Sequence, residues 1–342
     1  MSGIVTSVSA AVGEALFKKR VIVVMGKGGV GRTTVATAIA QAAARRGKRV
    51  LLFQAGAKDK LSRLIGSPPV GEQIVAVPGG FYAVNTSPSA AIHEYGLMVL
   101  RYETIYRLVM ENQVVKKLVR AIPGLDDYSI IGKLWFHTTE THPAGGWKWD
   151  TIVFDAPATG HALSMFKIPR AILAAVPEGP LTRDAVKVRA LFEDATRTSV
   201  VLTTLAEEMP VTETLELAAK LQPELGLTPS ALVVNQIAPD RFYRQGVAAR
   251  VLDELVGSDA GAGDPVLAPL VQEARQQRAR RQLNERYIAR LQAELKLPQV
   301  RIPQLFAPVF GATELGFISQ EIERQLLGDP AAAPVATAAS AG

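Results

Sequence analysis

Val21-Ile22-Val23-Val24-Met25-Gly26-Lys27-Gly28-Gly29-Val30-Gly31-Arg32-Thr33-Thr34 is a short apolar run that breaks into a glycine-rich turn, and the residues after it, VATAIAQAAAR up to Arg45, read as a helix. An apolar run of this length without strict alternation suits a strand buried on both faces of a parallel sheet. Glycines let backbone N–H groups close around phosphate oxygens, and the start of the following helix adds partial positive charge. Thr33 stands where a hydroxyl would hold Mg²⁺. Gly26, Lys27, Gly28, Gly29, Val30, Gly31, Arg32, Thr33 and Thr34 are therefore candidate nucleotide-binding residues, with ATP or ADP and Mg²⁺ as the implied cofactors.

Further runs of the same kind, Val50 to Phe53, Phe81 to Val84, Thr151 to Phe154, Ser199 to Leu202 and Ala231 to Val234, alternate with helical patterns. That alternation predicts an α/β fold with a doubly wound, mostly parallel sheet. After Ser87 the period changes. Tyr95, Met98, Val99, Tyr102, Ile105, Tyr106, Val109 and Met110 fall at helical spacing, and Val114, Val115, Leu118, Val119 and Ile122 continue it. A helical subdomain inserted at about 88–145 is expected, with further helices at about 178–197 and from Pro210 to Leu221. The segment 1–19 is a leader, 20–328 the nucleotide-binding domain, and Gly257 to Pro265 a flexible loop by composition. The tail 329–342, made of Ala, Pro, Thr, Ser and Gly with one Asp and one Val, has little to bury and is expected to be disordered.

With 48% hydrophobic and 20% charged residues, the 342-residue chain can bury a large core, which excludes a fibrous or disordered class. The net charge of +6 attracts anions in general, but Lys and Arg are spread along the chain, so no nucleic-acid partner is expected. The lack of cysteine excludes disulfides, thiolate chemistry and a CxxC zinc clip, and points to the cytoplasm. Histidines at 93, 137, 142 and 161 show no metal-ligand spacing. No run approaches the roughly 18 apolar residues needed to span a bilayer. In the leader, the basic Lys18-Lys19-Arg20 follows the apolar part, the wrong order for a secretory signal. It reads as a short packed helix, peripheral membrane contact being the lesser alternative.

Asp155-Ala-Pro-Ala-Thr-Gly-His161, after the strand Thr151 to Phe154, resembles the switch II signature DTAPTGH of the ArsA-type P-loop ATPases, a SIMIBI-like family that includes arsenite-efflux ATPases and guided-entry ATPases for tail-anchored proteins. The resemblance extends over most of residues 20–325. Pro123-Gly124-Leu125-Asp126 is similar to the family's PGxxE, Val211-Thr212-Glu213-Thr214 to its VxET, Asn235-Gln236 to its adenine-reading NQ, and Pro303 to Gly311 to the segment that closes over the base. It implies a dimer in which Lys27 reaches the partner's nucleotide. It also implies an Asp155 that acts on Mg²⁺ through water, Thr159, Gly160 and His161 as γ-phosphate sensors, and a base held near Asn235, Gln236 and Pro303. An amide at 235 can both donate to and accept from an adenine edge.

Two positions depart from that pattern. Arg32 stands where the loop has lysine, and a planar guanidinium meets phosphate with different geometry from a compact ammonium. Aligned without gaps, the family's switch I segment DPAHSL falls on Gly56-Ala57-Lys58-Asp59-Lys60-Leu61, so the water-positioning aspartate corresponds to Gly56. Asp59 is a weak substitute, displaced by several ångströms where less than one matters (order of magnitude). Lys27, Arg32 and Asp155 form the expected catalytic set. The expectation is a protein that binds Mg-ATP as a dimer but hydrolyses it slowly or not at all alone, as half of a heterodimer with an active ArsA-type paralogue or as a homodimer. One alternative is an active ATPase driving the targeting or transport of a membrane-protein or anionic client. The other, a positioning ATPase resembling ParA or MinD, is disfavoured by the Gly-His of switch II and by the helical insertion.

An arsenite role would normally lean on thiolates, which are missing here. A protein client or scaffold would need an apolar groove. The stripe Met98, Tyr102, Ile105, Val109 and Met110 offers one, although packing between helices is its first reading. The Arg-rich stretch Glu273 to Leu295 reads as a solvated helix face, with an acidic partner or lipid headgroups as the second reading.

Overall fold

The computed structural model describes residues 11–56, 59–100, 102, 104, 108, 124–240, 242–243, 246–257 and 265–327. Of the expectations above, the stripe from Ile105 to Ile122, the loop 258–264, the tail beyond 327 and the first ten residues lie outside them.

The run Val21–Met25 is β1, buried at every position. The other strands are β2 (Val50–Ala55), β3 (Val75–Val77), β4 (Phe81–Thr86), β5 (Thr151–Asp155), β6 (Thr198–Leu205), β7 (Pro229–Ile237) and β8 (Gln299–Pro303). They form one eight-stranded sheet in the order β3-β4-β2-β5-β1-β6-β7-β8. Every pairing is parallel except that of β3 with β4. The doubly wound, mostly parallel sheet expected from the apolar runs is the fold observed.

Period-two alternation divides the core into two layers. Val21, Val23 and Met25 of β1 join Leu51, Phe53, Ile152 and Phe154 on one face, whereas Ile22 and Val24 join Leu52 and Val153 on the other. The helices, numbered along the chain, are α1 (Arg32–Arg45), α2 (Leu61–Ile65), α3 (Pro88–Leu100), α4 (Leu125–Thr139), α5 (Thr159–Ala175), α6 (Pro180–Glu193), α7 (Glu208–Lys220), α8 (Val247–Gly257), α9 (Leu267–Leu295) and α10 (Ala312–Leu327). The first face is covered by α4, α5 and α6, which contribute Tyr128, Ile131, Met165, Phe166, Val188 and Leu191. The second face is covered by α1 and α10. The alanines of α1 allow a close approach, and Ser319 of α10 donates to the Ala38 carbonyl at 2.7 Å. Residues 11–17 are helical, and Leu16 and Phe17 are buried in this second layer.

Four features differ from the sequence reading. The strands run past the apolar runs, because polar residues at their C-terminal ends continue the pairing, among them Gln54, Asn85, Thr86, Asp155, Thr203 and Asn235. β3 and β8 were not expected. β3 is three residues long with two exposed, and β8 is an edge strand with alternating burial. The helix expected from Pro210 to Leu221 ends at Lys220 in a π-helical turn, Leu221–Leu225. Finally, α4 packs Tyr128, Ile130, Ile131 and Leu134 into the same core as the sheet.

Among the described residues, no helix is long and apolar enough to cross a membrane. The Arg-rich helix α9 spends much of its charge within the chain. Arg278 donates to the Phe242 and Ala249 carbonyls and to Asp253, and Arg281 to the Ala238 carbonyl and Glu285.

Candidate nucleotide site

The site lies where β1 hands over to α1, at the C-terminal edge of the sheet, the edge at which open α/β sheets bind ligands. The loop is held in shape by close packing. Gly26 lies against the Thr203 carbonyl of β6, where a Cβ would collide with it. Gly31 caps α1 with φ of +90° and faces Asn235, which leaves no room for a side chain. The Asn235 amide donates to the Val30 carbonyl at 3.0 Å, so the strand-ending asparagine braces the loop itself.

Behind the loop, the Thr33 hydroxyl donates to Oδ2 of Asp155 at 2.7 Å, and the Gln54 amide donates to the same oxygen at 3.0 Å. Burial pushes the Asp155 carboxyl up, opposed by the Thr33 bond, the Arg32 charge and the Gln54 bond. A buried carboxylate beside a hydroxyl is a hard-oxygen donor pair that a divalent cation bridging phosphate oxygens would satisfy. Among the described residues no cluster of three or more His, Cys, Asp or Glu could hold a metal alone.

A cavity of about 350 Å³ opens in front of this pair, lined by Arg32, Gln54, Gly56, Lys60, Asn85 and Asp155 among others. A second, of about 340 Å³, is lined by Gly31, Thr34, Asn235, Gln236, Pro303 and Phe310 among others. A third, of about 370 Å³, shares Arg32, Thr33 and Lys60 with the first and Gly31, Thr34 and Phe310 with the second. The three cavities are thus lined in turn by residues of the loop and the start of α1. Gln236, at φ of +55°, is turned out of the strand there.

The departures from the family pattern have a definite geometry. The Arg32 guanidinium donates to the Ala156 carbonyl, at the start of the switch II segment, and burial lowers its pKa against the opposing charge of Asp155. Asp59 does not face the cavity as a free carboxylate. Its Oδ1 accepts the N–H groups of Leu61 and Ser62, each at 3.0 Å, and its Oδ2 that of Val70 at 3.0 Å. Those bonds cap α2, and against burial, which would raise it, the Ser62 side chain together with them holds the carboxyl below its usual pKa. Position 56 is open, the nearest atom to a Cβ there being Oδ1 of Asn85 at 3.8 Å.

The remaining candidates lie around this centre. Lys27 Nζ is 2.5 Å from Oε1 of Glu213 on α7. Thr159 and Gly160 open α5, and Nε2 of His161 is 2.7 Å from Oδ1 of Asp127 on α4. Gln54, Lys60 and Asn85, which line the cavity, were not among the candidates read from sequence. The first and last carry a signal, a polar residue ending an otherwise apolar strand at the ligand-facing edge.

A strand, a glycine loop and a helix, with a hydroxyl and a buried carboxylate facing one another at the sheet edge, define a P-loop fold. The chain belongs to the anion-transporting ATPase family, which matches residues 19–178 and 180–251. It is 27% identical over 312 residues to ATPase BagA of Mycobacterium tuberculosis, covering 87% of this chain and 89% of that one. It is 29% identical over 236 residues to the arsenical pump-driving ATPase of Escherichia coli, covering 63% of this chain and 39% of that one. With ATPase GET3 of Kluyveromyces lactis it shares 28% identity over 158 residues, 44% of this chain and 45% of the relative.

Proposed function

We propose that the protein binds Mg-ATP in the cavities along residues 26–34 and hydrolyses it slowly, acting as a nucleotide-held subunit of a dimer. The observation that carries this reading is the state of the switch I side. Asp155 is the one carboxylate among the described lining residues of the first cavity, while Asp59 is spent on three backbone N–H groups. With glycine at 56, no second carboxylate among the described residues lines that cavity to assist an attacking water. In this reading Thr33 and Asp155 hold Mg²⁺, Asn235, Gln236 and Pro303 surround the base, and Thr159, Gly160 and His161 respond to the γ-phosphate. Residues 20–328 act as one nucleotide-binding domain with the helical part inserted.

The dimer is a second element of the proposal. A chain weakened in hydrolysis serves best beside an active ArsA-type paralogue, a homodimer being the alternative, with a protein client or scaffold as the object of the cycle. The arsenical substrate named for the Escherichia coli relative is disfavoured, because this chain has no cysteine to bind the metalloid. Protein mixed with stoichiometric Mg-ATP and quenched over hours is expected to retain ATP, with turnover on the order of tens of minutes or slower, the range of an unassisted P-loop site. Prompt conversion to ADP would restore the ordinary ATPase reading. Failure to retain any nucleotide would remove both.

A further inference from the structure

Gln54 and Asn85 are neighbours across the parallel pair of β2 and β4, matched Cα to Cα in the register. Both side chains line the cavity that also contains Arg32, Lys60 and Asp155. Polar residues inside a buried sheet are costly unless bonded, and the two amides are bonded unequally. Gln54, only 6% exposed, has its amide nitrogen fixed on Asp155, which leaves its carbonyl oxygen as an acceptor at the cavity wall. Oδ1 of Asn85 is buried and has no hydrogen-bond partner among the described residues. That oxygen lies 3.8 Å from where a Cβ of residue 56 would be, beside the space left by the missing switch I side chain. The terminal torsion of an asparagine is soft, so a modest rotation presents the oxygen to that space.

We propose that the carboxamide pair Gln54–Asn85 is a catalytic device of this chain, holding the attacking water where Gly56 supplies no carboxylate. It rests on the nucleotide reading above and deepens it, by stating how the slow reaction proceeds. Two carbonyl oxygens on adjacent strands accept the two protons of one water and aim its lone pair at the γ-phosphorus. A neutral glutamine that orients water without deprotonating it is an established solution in P-loop enzymes. Attack forms the bond from water oxygen to phosphorus as the bond to the β,γ-bridging oxygen breaks, and its electron pair leaves with ADP. An amide is no base at neutral pH, so the water proton passes to a γ-phosphate oxygen. The same chemistry explains why such a site is slow: it supplies orientation without general-base assistance.

The test uses the full chain, with affinity read by a fluorescent N-methylanthraniloyl-ATP and chemistry by single turnover of radiolabelled ATP under excess protein. Gln54→Met and Asn85→Ala are expected to bind the probe within about threefold of the native protein and to lose at least about tenfold in the single-turnover rate. Asn85→Asp, isosteric and therefore informative even if the alanine variant fails to fold, is expected to change the shape of the pH–rate profile from that of the native protein. Native rates in both Asn85 variants, or bound probe with no native turnover, would overturn the proposal. So would a loss in Gln54→Met that excess Mg²⁺ restores, since that assigns Gln54 to holding Asp155 alone. A native protein that does not bind the probe would instead overturn the nucleotide reading.

Discussion

Lys27 is paired with Glu213 of its own chain, Nζ to Oε1 at 2.5 Å, with both side chains about one-third exposed. A half-exposed pair of this kind is worth about 1 kcal/mol or less, so it is a latch that a better partner can open. Phosphate oxygens of a nucleotide bound across a dimer would be such a partner. Glu213→Gln is therefore expected to strengthen ATP-dependent self-association, and Lys27→Ala to abolish it. Sedimentation velocity with and without Mg-ATP distinguishes the two. Equal association in both variants would show that Lys27 has no part in the interface.

Asp59 is a structural residue if its three backbone bonds describe its role. Asp59→Ala is expected to cost about 0.5–2 kcal/mol, the range for losing a helix cap, and to leave nucleotide affinity nearly unchanged. Because those bonds depress its folded-state pKa, its contribution is present above the ordinary carboxylate range and is lost as pH falls through the depressed value. Thermal melts of the native and Asp59→Ala proteins should therefore differ at neutral pH and converge in acid.

Lys60 lines both the first and third cavities, the spaces on either side of Arg32 and Thr33. Arg32 is turned onto the Ala156 carbonyl, so among the described residues Lys60 is a compact cation placed to meet the terminal phosphates. Lys60→Ala is expected to weaken ATP binding about tenfold while changing ADP binding less, measured by isothermal titration calorimetry. An equal effect on both nucleotides would place Lys60 away from the γ-phosphate.

At the opposite edge of the sheet, Glu140 accepts from Nδ1 of His137, Nζ of Lys148 and Nε1 of Trp149. Burial opposes its ionisation, but those bonds win and hold its pKa at about 2. A depressed carboxylate stabilises the fold above its unfolded pKa, near 4.5, and ceases to do so as pH falls toward 2. Glu140→Gln should lower the melting temperature at pH 7 by a few degrees and flatten its decline across that acid window. Parallel acid-melting curves would contradict the assignment.

The parts of the fold that were legible in sequence are local. The loop of residues 26–34 and the heptad from Asp155 to His161 are contiguous motifs, and the central strands each carry an uninterrupted apolar run. The edge strands β3 and β8 escaped because partly exposed strands lack that signal. The carboxamide pair escaped for a different reason: Gln54 and Asn85 are 31 positions apart in sequence, and only the register of β2 on β4 makes them neighbours. Asp59 was legible in a different sense, since an aspartate two and three residues before the first N–H groups of a helix is a capping signature.

If Arg32 and Gly56 are what slow this site, restoring lysine and aspartate at those positions should speed it. Position 56 is open to a side chain and has no left-handed backbone angle, so an aspartate fits there without strain. The decisive measurement is steady-state phosphate release by the Arg32→Lys, Gly56→Asp double variant beside the native protein, at saturating Mg-ATP. A gain of at least about tenfold is expected, below the roughly hundredfold or more that a positioned acid or base typically contributes. An unchanged rate, with nucleotide bound, would contradict it.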